Sequence, residues 1–467
     1  MDYREQEIRE AVREVLQRLS LEPASREKNR LGVFEDIEKA IQAAKQAQKQ
    51  IQAMPMAFRE KIIANIRRYT IDNAATLAEM GVQETGMGNV GHKILKHRLT
   101  AENTPGTEDI STTAWSGDRG LTLVEMGPFG VIGAVTPSTN PSETIICNTI
   151  GMLAGGNTVV FNPHPGARNV SNYAVDMINK ASLEAGGPEN IAVSVSEPTL
   201  KSSQILFKHK DIPLLVATGG PGVVTAILSS GKRGIGAGAG NPPVLVDETA
   251  DIKKAAEDIV NGAAFDNNLP CIAEKEVVAV EKIYDELVYY MKESGCYLAD
   301  QSLVHKLTET VMIDKSGKKI LNRKCVGKDA KTLLSMVGIT VDETIRCIIF
   351  ESAEDHILVQ EELMMPILGI VKVKNVDEGI AACVRLEHGN RHSAHMHSKN
   401  VDYMTRYGQA VDTAIFVKNA PSYSAIGYGG EGFTTFTIAS RTGEGLTSAK
   451  TFTKSRRCVL ADSLCIR

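Results

Sequence analysis

The chain has 467 residues, 43% of them hydrophobic and 23% charged, with a formal net charge of −4. That is enough length for two or three domains around a large core, while a charge so near balance supplies no electrostatic footprint for nucleic acid. No apolar run approaches the ~20 residues that span a bilayer, the start lacks the charged-then-apolar layout of a secretory signal, and eight cysteines without a C-x-x-C pair predict free thiols in a reducing cytoplasm, not a zinc site or disulfide framework.

In residues 1–20, Ile8, Val12, Val15, Leu16 and Leu19 recur at helical spacing, and Glu5 with Arg9 and Glu14 with Arg18 pair on the other face. A polar linker over 21–31 follows. The amphipathic helix therefore either docks on a partner or folds back on its own domain. Residues 33–104 carry Ala-rich and Gln-rich helical periodicity, and 112–125 alternate around Gly117-Asp118-Arg119-Gly120, which predicts a β-hairpin.

Short apolar strands then alternate with helices: strand 130–135, helix 142–153, strand 158–161, helix 170–185, strands 191–195 and 213–217, and a glycine-spaced strand 234–240. The pairs Gly155-Gly156 and Gly186-Gly187 supply the left-handed backbone that ends a helix. The series resumes at 243–246, passes a helix over 252–264 and a strand over 277–280, and continues to about residue 440. Such alternation means α/β architecture with parallel sheets covered on both faces, here in two domains. The end, 449–460, alternates as a strand and needs a sheet partner, for which the hairpin near residue 120 of another subunit is suited.

The chemistry-bearing candidates lie in the connections. Cys271 follows Pro270 in the polar turn Phe265-Asp266-Asn267-Asn268-Leu269-Pro270, a placement that exposes a thiol to reaction. The other seven cysteines lie in apolar or charged segments and read mostly as small buried hydrophobes. In parallel sheets ligands sit at strand carboxyl ends, and three loops qualify. Thr136-Pro137-Ser138-Thr139-Asn140-Pro141 places an amide just before a helix, where Asn140 either caps the helix or donates to an oxygen that develops negative charge. Asn162-Pro163-His164 ends a buried strand, and Thr218-Gly219-Gly220 opens a helix and could hold a pyrophosphate. None of them fits the G-x-G-x-x-G pattern. His388, His392, His395 and His397 match no H-E-x-x-H spacing and have no acidic ligand between them, and alternate strand residues account for the pair at 395 and 397. No metal is expected.

Taken in order, Glu84-Thr85-Gly86, Pro128-Phe129-Gly130-Val131, Ser138-Thr139-Asn140-Pro141, Thr218-Gly219-Gly220, Gly236-Ala237-Gly238-Ala239-Gly240-Asn241-Pro242-Pro243, Phe265-Asp266-Asn267-Asn268, Cys271, Glu362 to Pro366 and Thr442-Gly443-Glu444-Gly445 resemble the aldehyde dehydrogenase superfamily. The nearest resemblance is to its CoA-acylating branch, the propionaldehyde, acetaldehyde and butyraldehyde dehydrogenases. It implies a Rossmann-like NAD domain over 32–111 and 129–240, a catalytic domain over 241–446, and oligomerisation strands over 112–128 and 447–467.

The resemblance further implies that Cys271 is the nucleophile, that Asn140 and the Cys271 N–H form the oxyanion hole, and that Glu362 contacts the nicotinamide ribose. Thr136, Pro137, Ser138, Asn162, Pro163, His164, Thr218, Gly219, Gly220 and Gly238 would complete the cofactor site. Hydrolytic members carry a general-base Glu where this chain has Gly236, and without it a CoA thiol collects the acyl group more readily than water. Asn162 replaces their adenosine-binding Lys, so NADP stays open beside NAD. The implied reaction is a reversible conversion of a short aldehyde, most readily propionaldehyde, to acyl-CoA in a homodimer or homotetramer. Residues 1–20 resemble the encapsulation helices of enzymes inside bacterial microcompartments. The competing readings are a hydrolytic aldehyde dehydrogenase and a non-catalytic shell-docking scaffold.

Overall fold

The computed structural model describes residues 30–466, so the expected helix over 1–20 and nearly all of the linker fall outside the described residues. The helical run that follows is four helices, Ile37–Ala53, Met56–Asp72, Ala74–Thr85 and Val90–Asn103, preceded by a two-residue strand, Val33–Phe34, that periodicity did not reveal. Two residues are too few to show alternation. Asp36 and Asn89 cap the first and last of these helices by accepting backbone N–H groups.

The first sheet has six parallel strands in the order Val33–Phe34, Ala192–Val195, Thr158–Pro163, Val131–Thr136, Leu214–Thr218, Arg233–Ala237. Its strands are near-continuous apolar runs because both faces are covered. Ile132, Phe161 and Val216 join one core cluster, and Val160, Leu215 and Val224 join the cluster on the opposite face. From Val131–Thr136 the chain winds first to one side of the sheet and then to the other. The crevice where that order reverses lies between the ends of Val131–Thr136 and Leu214–Thr218, the place where doubly wound sheets bind ligands.

The second sheet has seven parallel strands: Cys296–Leu298, Cys347–Ser352, Ile367–Val373, Glu276–Val280, Pro243–Val246, Ser393–His397 and Ile415–Lys418. The strand expected over 234–240 stops at Ala237, and 238–242 form an irregular bridge into Pro243–Val246. Asn241 pins that bridge by donating to the carbonyls of Val359 and Leu386 at 3.1 and 3.0 Å.

Two expectations about the arm are corrected. Residues Ala449–Phe452 form a 3-10 turn, closed by a capping box between Ser448 and Thr451, and the strand is Thr453–Ala461. Its partner belongs to the same chain: Thr453–Ala461 pairs antiparallel with Gly120–Pro128, which also pairs with Thr113–Gly117. In each glycine pair, moreover, only one member is left-handed, Gly156 at φ +82° and Gly186 at φ +83°.

Candidate active site

Cys271 is half-buried in the turn between the Ile252–Ala264 helix and strand Glu276–Val280. It therefore sits at the amino edge of its sheet, not the carboxyl edge that guided the choice of the other loops. The segments that lead into the neighbouring strands bring Asn241, Glu362 and His392 to the same edge. The turn is held tightly: Asp266, Asn267 and Asn268 are all left-handed, at φ 47°, 56° and 65°. Three consecutive non-glycine residues in that region persist only where the surroundings over-determine them. Asn268 Nδ2 donates to Ala263 O and Glu274 O, at 3.0 and 2.8 Å, and Phe265 packs against the rings of His92, Tyr423 and Tyr428.

Around the thiol lies an apolar cluster that includes Leu99, Cys147, Ile272, Ile426 and Phe436. A cavity of about 660 Å³ is lined by Leu99, Tyr428 and the glycine-rich turn at 427–430, and shares Leu99 and Tyr428 with that cluster. Burial pushes the Cys271 thiol up to about 12; the Glu362 carboxylate acts in the same direction, and the Lys275 ammonium opposes both. Glu362 is itself raised by burial, against the pull of Lys275 and of a hydrogen bond from the Gly240 N–H.

Asn140 resolves the choice left open by its sequence position. It stands at the start of helix Pro141–Ala154 but its side chain makes no capping bond. Its Oδ1 accepts instead from Lys96 Nζ at 2.5 Å, and its Nδ2 makes a long 3.4 Å contact with Thr139 Oγ1. The amide thus retains a donor that the helix does not consume.

Thr136 ends one strand of the crevice, with Pro137 and Ser138 after it, and Thr218 ends the next, with Gly219 and Gly220 after it. Gly220 precedes helix Pro221–Leu228, and a Cβ at either Gly220 or Gly222 would meet nothing within 4 Å. This open backbone cradle at a helix N-terminus suits a pyrophosphate, so the residues fit a dinucleotide. Asn162 offers less than its position suggested, for Ser202 donates to its Oδ1 at 2.6 Å and its Nδ2 donates to Ser203 at 2.7 Å. Pro163 ends the strand beside it, and the exposed His164 turns its Nδ1 to the N–H of Gly166 at 3.1 Å. Gly238 lies in the bridge, with open space except for Arg441 Cγ at 3.9 Å.

Gly236 is buried in the last strand of the first sheet, its N–H donated to Thr442 Oγ1 at 3.2 Å. A Cβ there would come 2.7 Å from Val224 Cγ1. Other motif residues serve the frame: the Glu84 carboxylate accepts the N–H groups of Asn169 and Val170, both at 2.8 Å, at the start of helix Arg168–Glu184. His395 and His397 lie on one strand, and no group that could hold a metal occurs among the described residues.

Sequence reading missed the charged residues beneath the site. Lys93 and Lys96, one helical turn apart on Val90–Asn103, are buried with Asp266 and Glu143. Glu274, three residues past Cys271, is pushed up to about 7 by burial while it accepts the Ser422 N–H at 2.8 Å. Lysines and carboxylates normally signal a solvated face, and only the long-range contacts reveal these as interior.

Residues 27–448 match the Aldehyde dehydrogenase family, and the chain belongs to it. Over 437 residues, 93% of each protein, it is 47% identical to the propanal dehydrogenase (CoA-propanoylating) of Salmonella typhimurium. The propionaldehyde dehydrogenase from the Clostridium phytofermentans fucose utilisation bacterial microcompartment is 71% identical, with a TM-score of 0.92 over 94% of this chain and 100% of that one. A propionaldehyde dehydrogenase of Rhodopseudomonas palustris, solved with bound CoA and an acylated cysteine, is 52% identical, with a TM-score of 0.91 over 93% of this chain and 99% of that one.

Proposed function

We propose that the protein is a CoA-acylating aldehyde dehydrogenase, converting a short-chain aldehyde, CoA and NAD to acyl-CoA and NADH through a thioacyl group on Cys271. The observation that carries this reading is a half-buried thiol packed against an apolar cluster, in a chain whose Gly236 stands where the resemblance places the general base of hydrolytic relatives. Cys271 adds to the aldehyde carbon, and Asn140 Nδ2 with the Cys271 N–H receives the charge that develops on oxygen. When bound in the crevice, a nicotinamide dinucleotide would supply the hydride acceptor. Thr218, Gly219 and Gly220 supply its pyrophosphate cradle, Thr136 to Ser138 the facing wall, Asn162 to His164 and Gly238 the flanks, and Glu362 the grip on the nicotinamide ribose.

The thiol must ionise to react, and the Glu362 charge opposes that. Ribose hydroxyls of a bound cofactor at the Glu362 carboxylate would weaken that opposition. The thioester that remains is attacked by the CoA sulfur, Cys271 leaves as thiolate, and acyl-CoA forms. The apolar side chains packed beside the thiol, Leu99 and Phe436 among them, suit a short acyl chain, propionaldehyde being the substrate of choice. NADH formation from propionaldehyde with and without CoA tests the reading: fast formation that requires CoA supports it, and equal rates with release of free acid would overturn it.

The partners follow from the same likeness. Trp115, Val459 and Leu460 are exposed apolar residues on the three-stranded arm, suited to joining subunits in a homodimer or homotetramer. Residues 1–20 would direct the enzyme from the cytoplasm into a microcompartment by binding a shell or core protein. Their deletion should leave activity intact and end co-purification with shells; unchanged co-purification would refute the role.

A further inference from the structure

We propose that Lys96 is a positioning residue for the oxyanion-binding amide: it bridges Asn140 and Asp266, fixes the Asn140 side chain with its NH2 group turned away from itself, and ties that orientation to the loop carrying Cys271. The inference rests on the reading of Asn140 as the donor.

The chemistry of an ammonium decides the orientation. Lys96 Nζ has donors only, so the atom of Asn140 that meets it at 2.5 Å is the carbonyl oxygen. Turning the amide over would press its N–H groups against a positive charge. Lys96 is held on two further sides, by Asp266 Oδ2 at 2.5 Å and Glu143 Oε1 at 2.9 Å, and its side chain is fully buried. Three oxygens therefore surround the ammonium, and the two carboxylates, outweighing burial, raise it to about 12, so it stays charged wherever the enzyme works.

Asp266 links this lysine to the thiol. Its Oδ2 also accepts from Lys93 Nζ at 3.0 Å and its Oδ1 from the Asn89 N–H at 2.8 Å, which anchors the left-handed turn that leads to Cys271. Lys93 in turn donates to Thr139 O at 3.1 Å, gripping the backbone beside Asn140. Two lysines and two carboxylates close the cluster without net charge, in keeping with complete burial. The amide donor and the thiol loop, from different domains, are thus fastened to one ammonium, and the donor needs no reorganisation as charge develops.

A double-mutant cycle tests this. Propionaldehyde oxidation with CoA and NAD is measured for wild type, Asn140→Ala, Lys96→Met and the double variant, together with the rate at which iodoacetamide alkylates Cys271. Lys96→Met is expected to lower kcat by about tenfold or more with the KM for NAD and the alkylation rate nearly unchanged, and to add less than about twofold once Asn140 is Ala. Losses that multiply, or a wild-type kcat in Lys96→Met, would overturn the proposal. A wild-type kcat in Asn140→Ala would instead defeat the assignment of Asn140 as donor. Should Lys96→Met not fold, Lys96→Met with Glu143→Gln removes one charge of each sign and takes its place in the cycle. Asn140→Asp leaves Lys96 unchanged: it keeps an oxygen toward the ammonium but has no donor, so its kcat should fall to the Asn140→Ala level, and a wild-type kcat there would likewise defeat the assignment of Asn140 as donor.

Discussion

Added to burial, the Glu362 carboxylate opposes ionisation of the Cys271 thiol, while the Lys275 ammonium favours it. A negative charge beside a thiol disfavours the thiolate, so removing that charge lowers the thiol's pKa. Glu362→Gln should therefore shift the pH profile of iodoacetamide alkylation at Cys271 by about one unit toward lower pH, and Lys275→Met should shift it the other way. The same Glu362→Gln enzyme should show a raised KM for NAD. An unmoved alkylation profile would mean that Glu362 does not control this thiol.

Cys271→Ala should reduce both aldehyde oxidation and acyl-CoA reduction by roughly 10⁴-fold or more, because no second nucleophile replaces it. Cys147 shares the apolar cluster, but it is buried where Cys271 is half-buried. Mass spectrometry of wild type during turnover should find the acyl group on Cys271. Substantial activity in the Ala enzyme would place the nucleophile elsewhere.

Gly236, proposed to stand where hydrolytic relatives carry a base, invites replacement by Glu, but that change meets a steric obstacle. The new Cβ would lie 2.7 Å from Val224 Cγ1 in a packed interior, and overpacking of this kind typically costs about 1–3 kcal/mol. Gly236→Glu should lower the melting temperature with little free acid formed. Adding Val224→Ala should relieve the clash and raise the ratio of free acid to acyl-CoA. If the pair releases no more acid than wild type, water exclusion and not the absent carboxylate sets the product.

Glu274 gives a pH signature in stability. Its carboxyl is raised from 4.5 to about 7 by burial. Below pH 4.5 both folded and unfolded chains hold the proton; between 4.5 and 7 only the folded chain does, so stability falls as pH rises through this window and levels off above it. Glu274→Gln keeps an oxygen for the Ser422 N–H and has no charge to bury. The melting temperature of this variant, relative to wild type, should improve steadily from pH 4.5 to 7. A difference independent of pH would show that Glu274 does not hold its proton in the folded enzyme.

Much of the fold is legible because strands buried on both faces, such as Val131–Thr136 and Thr158–Pro163, leave continuous apolar runs between helix-ending glycines. The arm is less so. The alternation near the C-terminus signals a strand but cannot identify its partner, and Thr453–Ala461 pairs within its own chain. Cys271 stands out by its neighbours Pro270 and Asn268, a local signal. Nothing local marks Lys96, whose importance arises from contacts with Asp266 and Asn140, far along the chain.

The order of residues alone determined the parallel α/β architecture, the crevice loops and the candidate thiol, since periodicity, punctuation and motif order act over neighbouring residues. Only the tertiary structure decided that Asn140 leaves its helix uncapped, that Gly236 is walled in by Val224, and that two lysines lie inside beside two carboxylates. The reason is physical: burial and pairing depend on which distant segments meet, and a charged side chain reads as solvated until its partner is known.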